Sequence, residues 1–232
     1  MADGGLAALG RRWHLDGTQL DRVARVLDVL AADEVAPSTV RGPAAVDVHV
    51  ADSLSGLGLA CVREARAIAD LGSGAGFPGV VIAIALPEAH VALVESARRR
   101  CEFLVRLCAA ADVGNAEVVN ARAEEWLAGI GGHDLVVARA LAALPVLCEY
   151  AAPLLRLGGS LVAWKGAVTP AEEAAGDRAA ELLGLEARGA VRAEPYPGSV
   201  AHHLYEYRKV AATPPGFPRR AGLARRRPLG GG

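Results

Sequence analysis

Asp70-Leu71-Gly72-Ser73-Gly74-Ala75-Gly76-Phe77-Pro78-Gly79 is the stretch that decides the fold of this chain. Residues 67–69 before it form a short apolar run typical of a buried strand, and residues 80–86 after it predict a helix. The closely spaced glycines let the backbone turn tightly and approach a ligand with no Cβ in between. Pro78 suits the first turn of the helix, where its missing N–H is no loss. A strand, a glycine turn and a helix N-terminus together predict a nucleotide-type binding site.

The glycine pattern is compatible with two kinds of cofactor. Residues 74–79 satisfy the dinucleotide signature G-x-G-x-x-G, which is a weak signal by itself. Residues 70–76 also read acidic-x-Gly-x-Gly-x-Gly, the arrangement typical of enzymes that use S-adenosylmethionine. A nicotinamide-dependent oxidoreductase and a methyltransferase therefore both stay open on the glycines alone.

Composition excludes several other classes. The chain has 232 residues and 52% hydrophobic content, which is enough for one α/β domain with a sizeable core. No run approaches the ~18–20 continuous apolar residues of a membrane helix. Residues 1–5 contain an acid and no apolar signal core, so we expect a cytoplasmic protein without membrane contact. The cysteines form no C-x-x-C pair, and we therefore expect neither a metal site nor a disulfide framework.

From Ala65 onward, short apolar strands alternate with helical segments. The predicted strands after the glycine turn are residues 90–95, 116–120, 134–138, 159–164, 185–193 and 202–210. This alternation favours an α/β fold with a parallel-type sheet and helices on both faces. We assign residues 65–212 to this domain.

The two ends of the chain have a different character. Residues 1–17 are glycine-rich and expected to be loose, and Thr18 is predicted to cap a helix that runs to about Ala32. We interpret residues 1–64 as a small N-terminal helical cap on the main domain. Residues 213–232 contain five arginines and no acid, and we expect this tail to be flexible until it meets a partner.

Ligands bind outside the carboxyl ends of the strands in an open α/β sheet. Glu95 closes the second strand, where it could accept hydrogen bonds from both ribose hydroxyls of a nucleoside; the alternative is an exposed strand-end acid. Ala123 and Glu124 follow the third strand, where a backbone N–H and a carboxylate could read an adenine edge. The alternative for Glu124 is an acid that interacts with a helix dipole. Arg139 and Lys165 end two further strands at the same edge.

These segments occur in an order that resembles a known family. The motifs are His49-x-x-Asp52-Ser53, the Asp70–Gly79 loop, Arg98-Arg99-Arg100 with Phe103-Leu104, Arg122-Ala123-Glu124, Arg139-Ala140 and Lys165-Gly166. Together they resemble ribosomal small subunit methyltransferase G, also called glucose-inhibited division protein B. The resemblance covers roughly residues 46–166, and the Gly-Phe-Pro-Gly extension of the loop is its most specific part. It implies a class I, Rossmann-like, S-adenosylmethionine-dependent enzyme that methylates N7 of a guanosine in the decoding-region loop of 16S rRNA.

The resemblance also implies roles for individual residues. The residues implied to bind the cofactor are Asp70, Gly72, Gly74, Gly76, Phe77, Ala123, Glu124 and Arg139, joined by Glu95 through its position. Arg139 and Lys165 are implied as catalytic residues beside the target nucleotide. His49, Asp52 and Ser53 are implied to line the mouth of the site; a helix cap with a structural histidine is the alternative.

The implied chemistry requires no general base, because guanine N7 carries a lone pair and no proton at neutral pH. In-line positioning of the reacting atoms would then supply the catalysis. We expect 16S rRNA or the small ribosomal subunit as the partner, and a monomeric enzyme. The rival hypotheses are a nicotinamide-dependent oxidoreductase and a non-catalytic RNA-binding or ribosome-associated factor.

Overall fold

The computed structural model describes residues 2–34 and 36–230. Its strands form one sheet in the order β3-β2-β1-β4-β5-β7-β6. The strands are β1 (Ala67–Leu71), β2 (His90–Glu95), β3 (Ala116–Asn120), β4 (His133–Arg139), β5 (Leu155–Lys165), β6 (Leu185–Ala193) and β7 (His202–Lys209). Pairing is parallel from β3 through β5, whereas β7 is antiparallel to both β5 and β6. The predicted α/β class is confirmed.

Helices cover both faces of the sheet. The α-helices are α1 (Ala2–Trp13), α2 (Gly17–Ala32), α3 (Pro43–Ala45), α4 (Asp52–Ser55), α5 (Ala60–Arg63), α6 (Gly79–Ala85), α7 (Arg98–Ala110), α8 (Leu144–Ala151), α9 (Pro170–Leu182) and α10 (Leu223–Arg226). A π-helix (Val46–Ala51) joins α3 to α4, and 3₁₀ turns span Gly56–Gly58, Ala123–Glu125 and Leu127–Gly129. Among the described residues, no helix has both the length and the apolar character needed to cross a membrane.

Alternate residues of the central strands enter two separate core layers. Ile68 packs with the N-terminal helices, α6 and α7 on one face. Its neighbour Ala69 packs with α8 and α9 on the other face, because successive side chains of a strand point in opposite directions. With both faces covered, the open crevice lies at the carboxyl ends of the strands. The chain reverses its direction of travel across the sheet between β1 and β4, where such folds bind ligands.

The N-terminal segment is more ordered than its composition predicts. We expected residues 1–17 to be loose, yet residues 2–13 form α1; Met1 lies outside the described residues. Leu6 is buried in the core shared with the sheet. The glycines allow close packing, since a Cβ on Gly10 would lie only 2.8 Å from Leu20 Cδ1. Tertiary packing therefore outweighs the low helix propensity of glycine.

The start of α2 also differs from the prediction in one detail. Asp16 rather than Thr18 is the N-cap, and its side chain accepts a hydrogen bond from the Gln19 backbone N–H at 2.8 Å. The Gln19 side chain accepts one from the Asp16 N–H at 2.9 Å, which completes a reciprocal capping box. The predicted end at Ala32 is confirmed.

The arginine-rich tail packs against the main domain. Phe217 and Leu229 contact the core layer of α8 and α9, and Ala224 is fully buried there. Arg219 forms a two-pronged ion pair with Glu149, whose side chain is buried in α8. The expectation of an unstructured tail is therefore not met over residues 213–230; Gly231 and Gly232 lie outside the described residues.

Candidate active site

The glycine loop leaves β1 in a conformation that requires glycine. Gly72 has a φ of +70°, and a Cβ there would lie 2.6 Å from Leu141 Cδ1. Gly74 has a φ of +53°, and a Cβ there would meet only the Gly72 carbonyl, at 3.6 Å. Gly72 is thus fixed by packing, whereas Gly74 presents bare backbone in an uncrowded position, as a ligand cradle requires.

Asp70 anchors the base of the loop. Its Oδ2 accepts a hydrogen bond from the Gly79 backbone N–H at 3.1 Å, which ties the end of β1 to the start of α6. Its other oxygen, Oδ1, is buried and has no hydrogen-bond partner within the described part of the chain. Burial raises the pKa of Asp70 to about 6.

Glu95 holds the tip of the same loop from the end of β2. Its carboxylate is buried and accepts hydrogen bonds from the backbone N–H groups of Gly74 at 3.2 Å and Ala97 at 2.8 Å. Arg100 Nη1 lies 3.6 Å from Glu95 Oε2. Glu95 is therefore a buried group of the crevice rather than an exposed strand-end acid.

A first cavity of about 210 Å³ opens at the ends of β1, β2 and β3. It brings together four of the predicted cofactor residues, namely Gly72, Glu95, Ala123 and Glu124. Arg122, Tyr150 and Arg225 also line it. Asp70, Gly74, Gly76, Phe77 and Arg139 do not belong to its lining.

Glu124 lies in the wall of this first cavity. Its side chain is buried, and Oε1 accepts a hydrogen bond from the Gly222 backbone N–H of the tail at 2.8 Å. Burial, followed by the negative charge of Glu124, raises the pKa of Tyr150. Glu124 lies in the first turn of the 3₁₀ helix Ala123–Glu125, and its carboxylate also ties the tail to the cavity.

A second cavity of about 340 Å³ lies beside the first, at the ends of β4 and β5. The side chains that give it chemical character are those of Asp52, Arg139, Trp164, Lys165, His202 and His203. Ala140 lines both cavities. The two spaces therefore adjoin at one residue directly after β4.

Arg139 and Asp52 form the charged centre of the second cavity. Arg139 Nη1 donates to Asp52 Oδ2 at 2.8 Å and to the Val48 carbonyl at 3.0 Å. The other Asp52 oxygen, Oδ1, lies 3.0 Å from His202 Nδ1. Asp52 is buried, so its carboxylate is held in one orientation by two partners from distant parts of the chain.

His49 supports this centre from the π-helix. Its ring stacks on Phe77 with centroids 4.4 Å apart and an interplanar angle of 8°, and Arg139 Nη2 lies 3.3 Å from its Nδ1. Burial, followed by the charge of Arg139, lowers the pKa of His49 to about 4, so the ring is neutral at physiological pH. Neither His49 nor Asp52 acts as a side-chain helix cap. π-helical turns occur frequently at functional sites.

Ser53 and Lys165 differ in their access to the second cavity. Ser53 is fully buried and donates its hydroxyl to the His49 carbonyl at 2.5 Å, so it stiffens the helix and lines neither cavity. Lys165 lines the cavity, with Nζ 2.7 Å from Glu172 Oε1 and 3.2 Å from the Ala142 carbonyl. The structure brings Lys165, but not Ser53, to the predicted mouth of the site.

Comparison with known proteins identifies the family. The family model described as rRNA small subunit methyltransferase G matches residues 40–194, well over half of the chain. The chain belongs to this family. It is therefore an rRNA methyltransferase, the enzyme class that the sequence motifs predict. The rival hypotheses of an oxidoreductase and of a non-catalytic factor are set aside.

The alignments with curated relatives cover most of the length of this chain. The chain is similar to ribosomal RNA small subunit methyltransferase G of Rubrobacter xylanophilus, with 40% identity over 79% of this chain and 73% of the relative. It is also similar to the protein of the same name from Lacticaseibacillus paracasei, with 35% identity over 94% of this chain and 93% of the relative.

Solved structures support the fold alone. The mitomycin 7-O-methyltransferase MmcR superposes with a TM-score of 0.59 and 13% identity over 72% of this chain and 56% of that chain. A variant of the 16S rRNA (adenine(1408)-N(1))-methyltransferase from Catenulisporales acidiphilia superposes with a TM-score of 0.54 and 19% identity over 64% of this chain and 87% of that chain. Both comparisons confirm the predicted class I methyltransferase architecture.

Sequence reasoning missed several residues of this methyltransferase site. Trp164 donates its indole N–H to the Asp52 carbonyl at 2.9 Å, whereas the sequence predicts for it only a place in a strand next to Lys165. For His202 the sequence predicts only the start of the last strand. Tyr150 and Arg225 come from a helix and the tail, and no motif in the sequence links either to the first cavity.

Proposed function

We propose that this protein transfers a methyl group from S-adenosylmethionine to N7 of a guanosine in the decoding-region loop of 16S rRNA. One observation carries the proposal. In a chain of the methyltransferase G family, two cavities adjoin at Ala140, one lined by the buried carboxylates Glu95 and Glu124 together with arginines, and the other built around Arg139 and Asp52. The reaction would take place in the cytoplasm, with 16S rRNA or the small subunit as partner and the enzyme acting as a monomer.

The first cavity has the chemistry that the nucleoside part of S-adenosylmethionine requires. Glu95 and Glu124 offer carboxylate oxygens to hydroxyl and amino donors, and the N–H of Gly74, which lies outside the lining, holds the Glu95 carboxylate in place. Glu95 would hold the ribose, Ala123 and Glu124 the adenine, and the loop from Asp70 to Phe77 the remainder. When bound, S-adenosylmethionine supplies a methyl group activated by its sulfonium.

The second cavity has features that suit a guanine base. Trp164 gives it an aromatic wall, and Arg139 and Lys165 provide positive charge beside an entering nucleotide. Guanine N7 needs no deprotonation, so the role of these residues is to orient the base toward Ala140, where the cavities meet. Lys165, held by Glu172, would contact the nucleotide rather than move a proton.

Asp52 is placed to stabilise the product. Methylation at N7 leaves the purine cationic. Among the described residues that line the second cavity, Asp52 is the one that carries a carboxylate. Arg139 and His202 hold it in place before the charge develops, which is the condition for effective electrostatic stabilisation. We assign Asp52 as the group that favours the cationic purine.

The test is a methyl-transfer assay on small ribosomal subunits and on naked 16S rRNA, with Asp52→Asn as the active-site variant. We expect the wild type to create one N7-methylguanosine, located by reduction and aniline cleavage of the RNA. Asp52→Asn should lower kcat by about 10- to 100-fold, equivalent to a charge-assisted interaction of about 1.5–3 kcal/mol.

Asp47→Asn is the matched control, because Asp47 is an exposed aspartate on the π-helix that directly precedes Asp52. It should retain wild-type kcat, and both variants should bind S-adenosylmethionine as the wild type does. Methylation at a different atom, or no difference between Asp52→Asn and Asp47→Asn, would contradict the proposal.

A further inference from the structure

The arginine-rich tail reaches the first cavity by a specific set of contacts. We call residues 213–230 the C-terminal segment. Its Arg219 is anchored on buried Glu149 and also donates to the Arg227 carbonyl at 2.9 Å, which closes the segment into a compact turn. Three residues after Arg219, the Gly222 backbone N–H donates to Glu124. The segment is therefore fixed at two points before it reaches Arg225.

Arg225 lies where the segment meets the two sides of the first cavity. Its Nη2 donates to the Leu141 carbonyl at 2.9 Å. The Leu141 side chain in turn packs over Gly72, with no room between them for a Cβ. Arg225 also lines the cavity together with Glu95 and Glu124. Arg225 therefore bonds to the backbone just after β4 and shares the cavity lining with Glu95 from β2 and Glu124 from the turn after β3.

The charge of Arg225 suits this position. Glu95 and Glu124 are both buried carboxylates of the cavity, and Arg225 adds a permanent cation beside them. A guanidinium is planar and weakly hydrated, so it can stack on a flat heteroaromatic ring while its N–H groups keep their protein partners. The Leu141 carbonyl already accepts one hydrogen bond from the Arg225 guanidinium.

We propose that the C-terminal segment is a permanent wall of the cofactor cavity and that Arg225 contacts the adenosine part of the bound cofactor. This inference rests on the proposed function for the identity of the ligand. The segment then acts in two ways, because Gly222 holds Glu124 in place and Arg225 covers the nucleoside. If the tail served only as a flexible RNA-binding arm, substitutions in the tail would leave binding of the cofactor unchanged.

The experiment measures binding of three probes to the full-length protein by calorimetry: S-adenosylmethionine, S-adenosylhomocysteine and adenosine. Arg225→Ala should weaken all three by about tenfold, because the lost contact is to their shared adenosine part. Arg225→Lys keeps the charge but loses the planar group, and it should also weaken binding. Arg226→Ala is the matched control, since Arg226 is an exposed arginine of the same helix, α10.

The outcomes separate this inference from the proposed function. The inference would be overturned if Arg225→Ala bound adenosine and S-adenosylhomocysteine with the affinity of the wild type. It would also be overturned if Arg225→Ala and Arg226→Ala weakened only RNA binding, and to the same extent. Failure of the wild type to bind S-adenosylmethionine would instead contradict the proposed function. Urea unfolding of each variant checks that the loss of binding is not a loss of fold, because substitution of exposed Arg225 should leave the unfolding midpoint unchanged.

Discussion

Replacing Arg219 by alanine tests whether the C-terminal segment is fixed to the domain as the structure shows. Arg219 donates through Nε to Glu149 Oε1 at 2.7 Å and through Nη2 to Glu149 Oε2. The Glu149 side chain is 1% exposed, and that of Arg219 is 20% exposed. The hydrogen bonds with Glu149 raise the pKa of Arg219, so the guanidinium stays charged.

The expected loss of stability follows from this burial. Arg219→Ala leaves a buried carboxylate without its partner, which typically costs about 3–5 kcal/mol. For a chain of this size, each kcal/mol lowers the melting temperature by about 2–4 °C, so we expect a fall of roughly 6–20 °C. The double variant Arg219→Met, Glu149→Leu removes both charges and should recover most of the loss, because no unpaired charge remains.

Urea unfolding followed by circular dichroism measures these differences as changes in the free energy of unfolding. Arg220→Ala is the control, since Arg220 is the exposed neighbour and its loss should change stability by about 0.5 kcal/mol or less. If Arg219→Ala lies within about 1 kcal/mol of the wild type, or if the double variant is no better than the single one, the pair is not desolvated. The reasoning about tail docking would then fail.

Two further predictions concern the crevice itself. Glu95→Ala removes the acceptor for the Gly74 and Ala97 N–H groups, so affinity for S-adenosylmethionine should fall by about 10- to 100-fold in calorimetry. Glu117→Ala, an exposed acid on neighbouring β3, should bind as the wild type does, and equal affinity of the two variants would refute a ribose role for Glu95. The folded-state pKa of His49, about 4, lies below its ordinary value of 6.5, so the unfolded chain takes up a proton first as the pH falls. His49 therefore contributes full stability above pH 6.5 and loses it between pH 6.5 and 4, about 3 kcal/mol in all. The difference in unfolding free energy between wild type and His49→Gln should shrink as the pH falls through that window. Asp70 contributes with the opposite sign, but it is present in both proteins and therefore cancels in the difference. A difference independent of pH would contradict the prediction.

The strands were predictable because their signals are local. β2 and β3 begin and end at the predicted residues, since each is an apolar run between polar or turn-forming neighbours. The glycine turn after β1 was predictable for the same reason. The order of strands at these carboxyl ends then explains why Glu95 and Glu124 reach one cavity.

Contacts between distant residues were not predictable in this way. The Asp52 carboxylate meets Arg139 and His202, partners that lie 87 and 150 residues further along the chain. No periodicity or spacing encodes such a meeting, because it depends on how α4 docks against the end of β4 and the start of β7. The resemblance to a family named Asp52 and Arg139, but His202 required the structure.

The tail shows why composition misleads about order. Five arginines with glycine and proline resemble a disordered segment, and only the fold reveals a buried carboxylate at Glu149 that needs one of them. The prediction that residues 1–17 are loose was wrong for a related reason. Glycine lowers helix propensity, but it also permits the close packing that stabilises α1. In both segments, the partner surface decides the structure.

Ala140, with its positive φ of +53° and its place in the lining of both cavities, has a consequence for inhibitor chemistry. A single compound could occupy both spaces if it joined an adenosine-like group to a purine-like group across this residue. The linker would have to pass Ala140, the residue that the two linings share. Such a bisubstrate compound would gain effective concentration for its second half once the first is bound. A bulkier side chain at position 140 would obstruct the linker and give an engineered route to resistance.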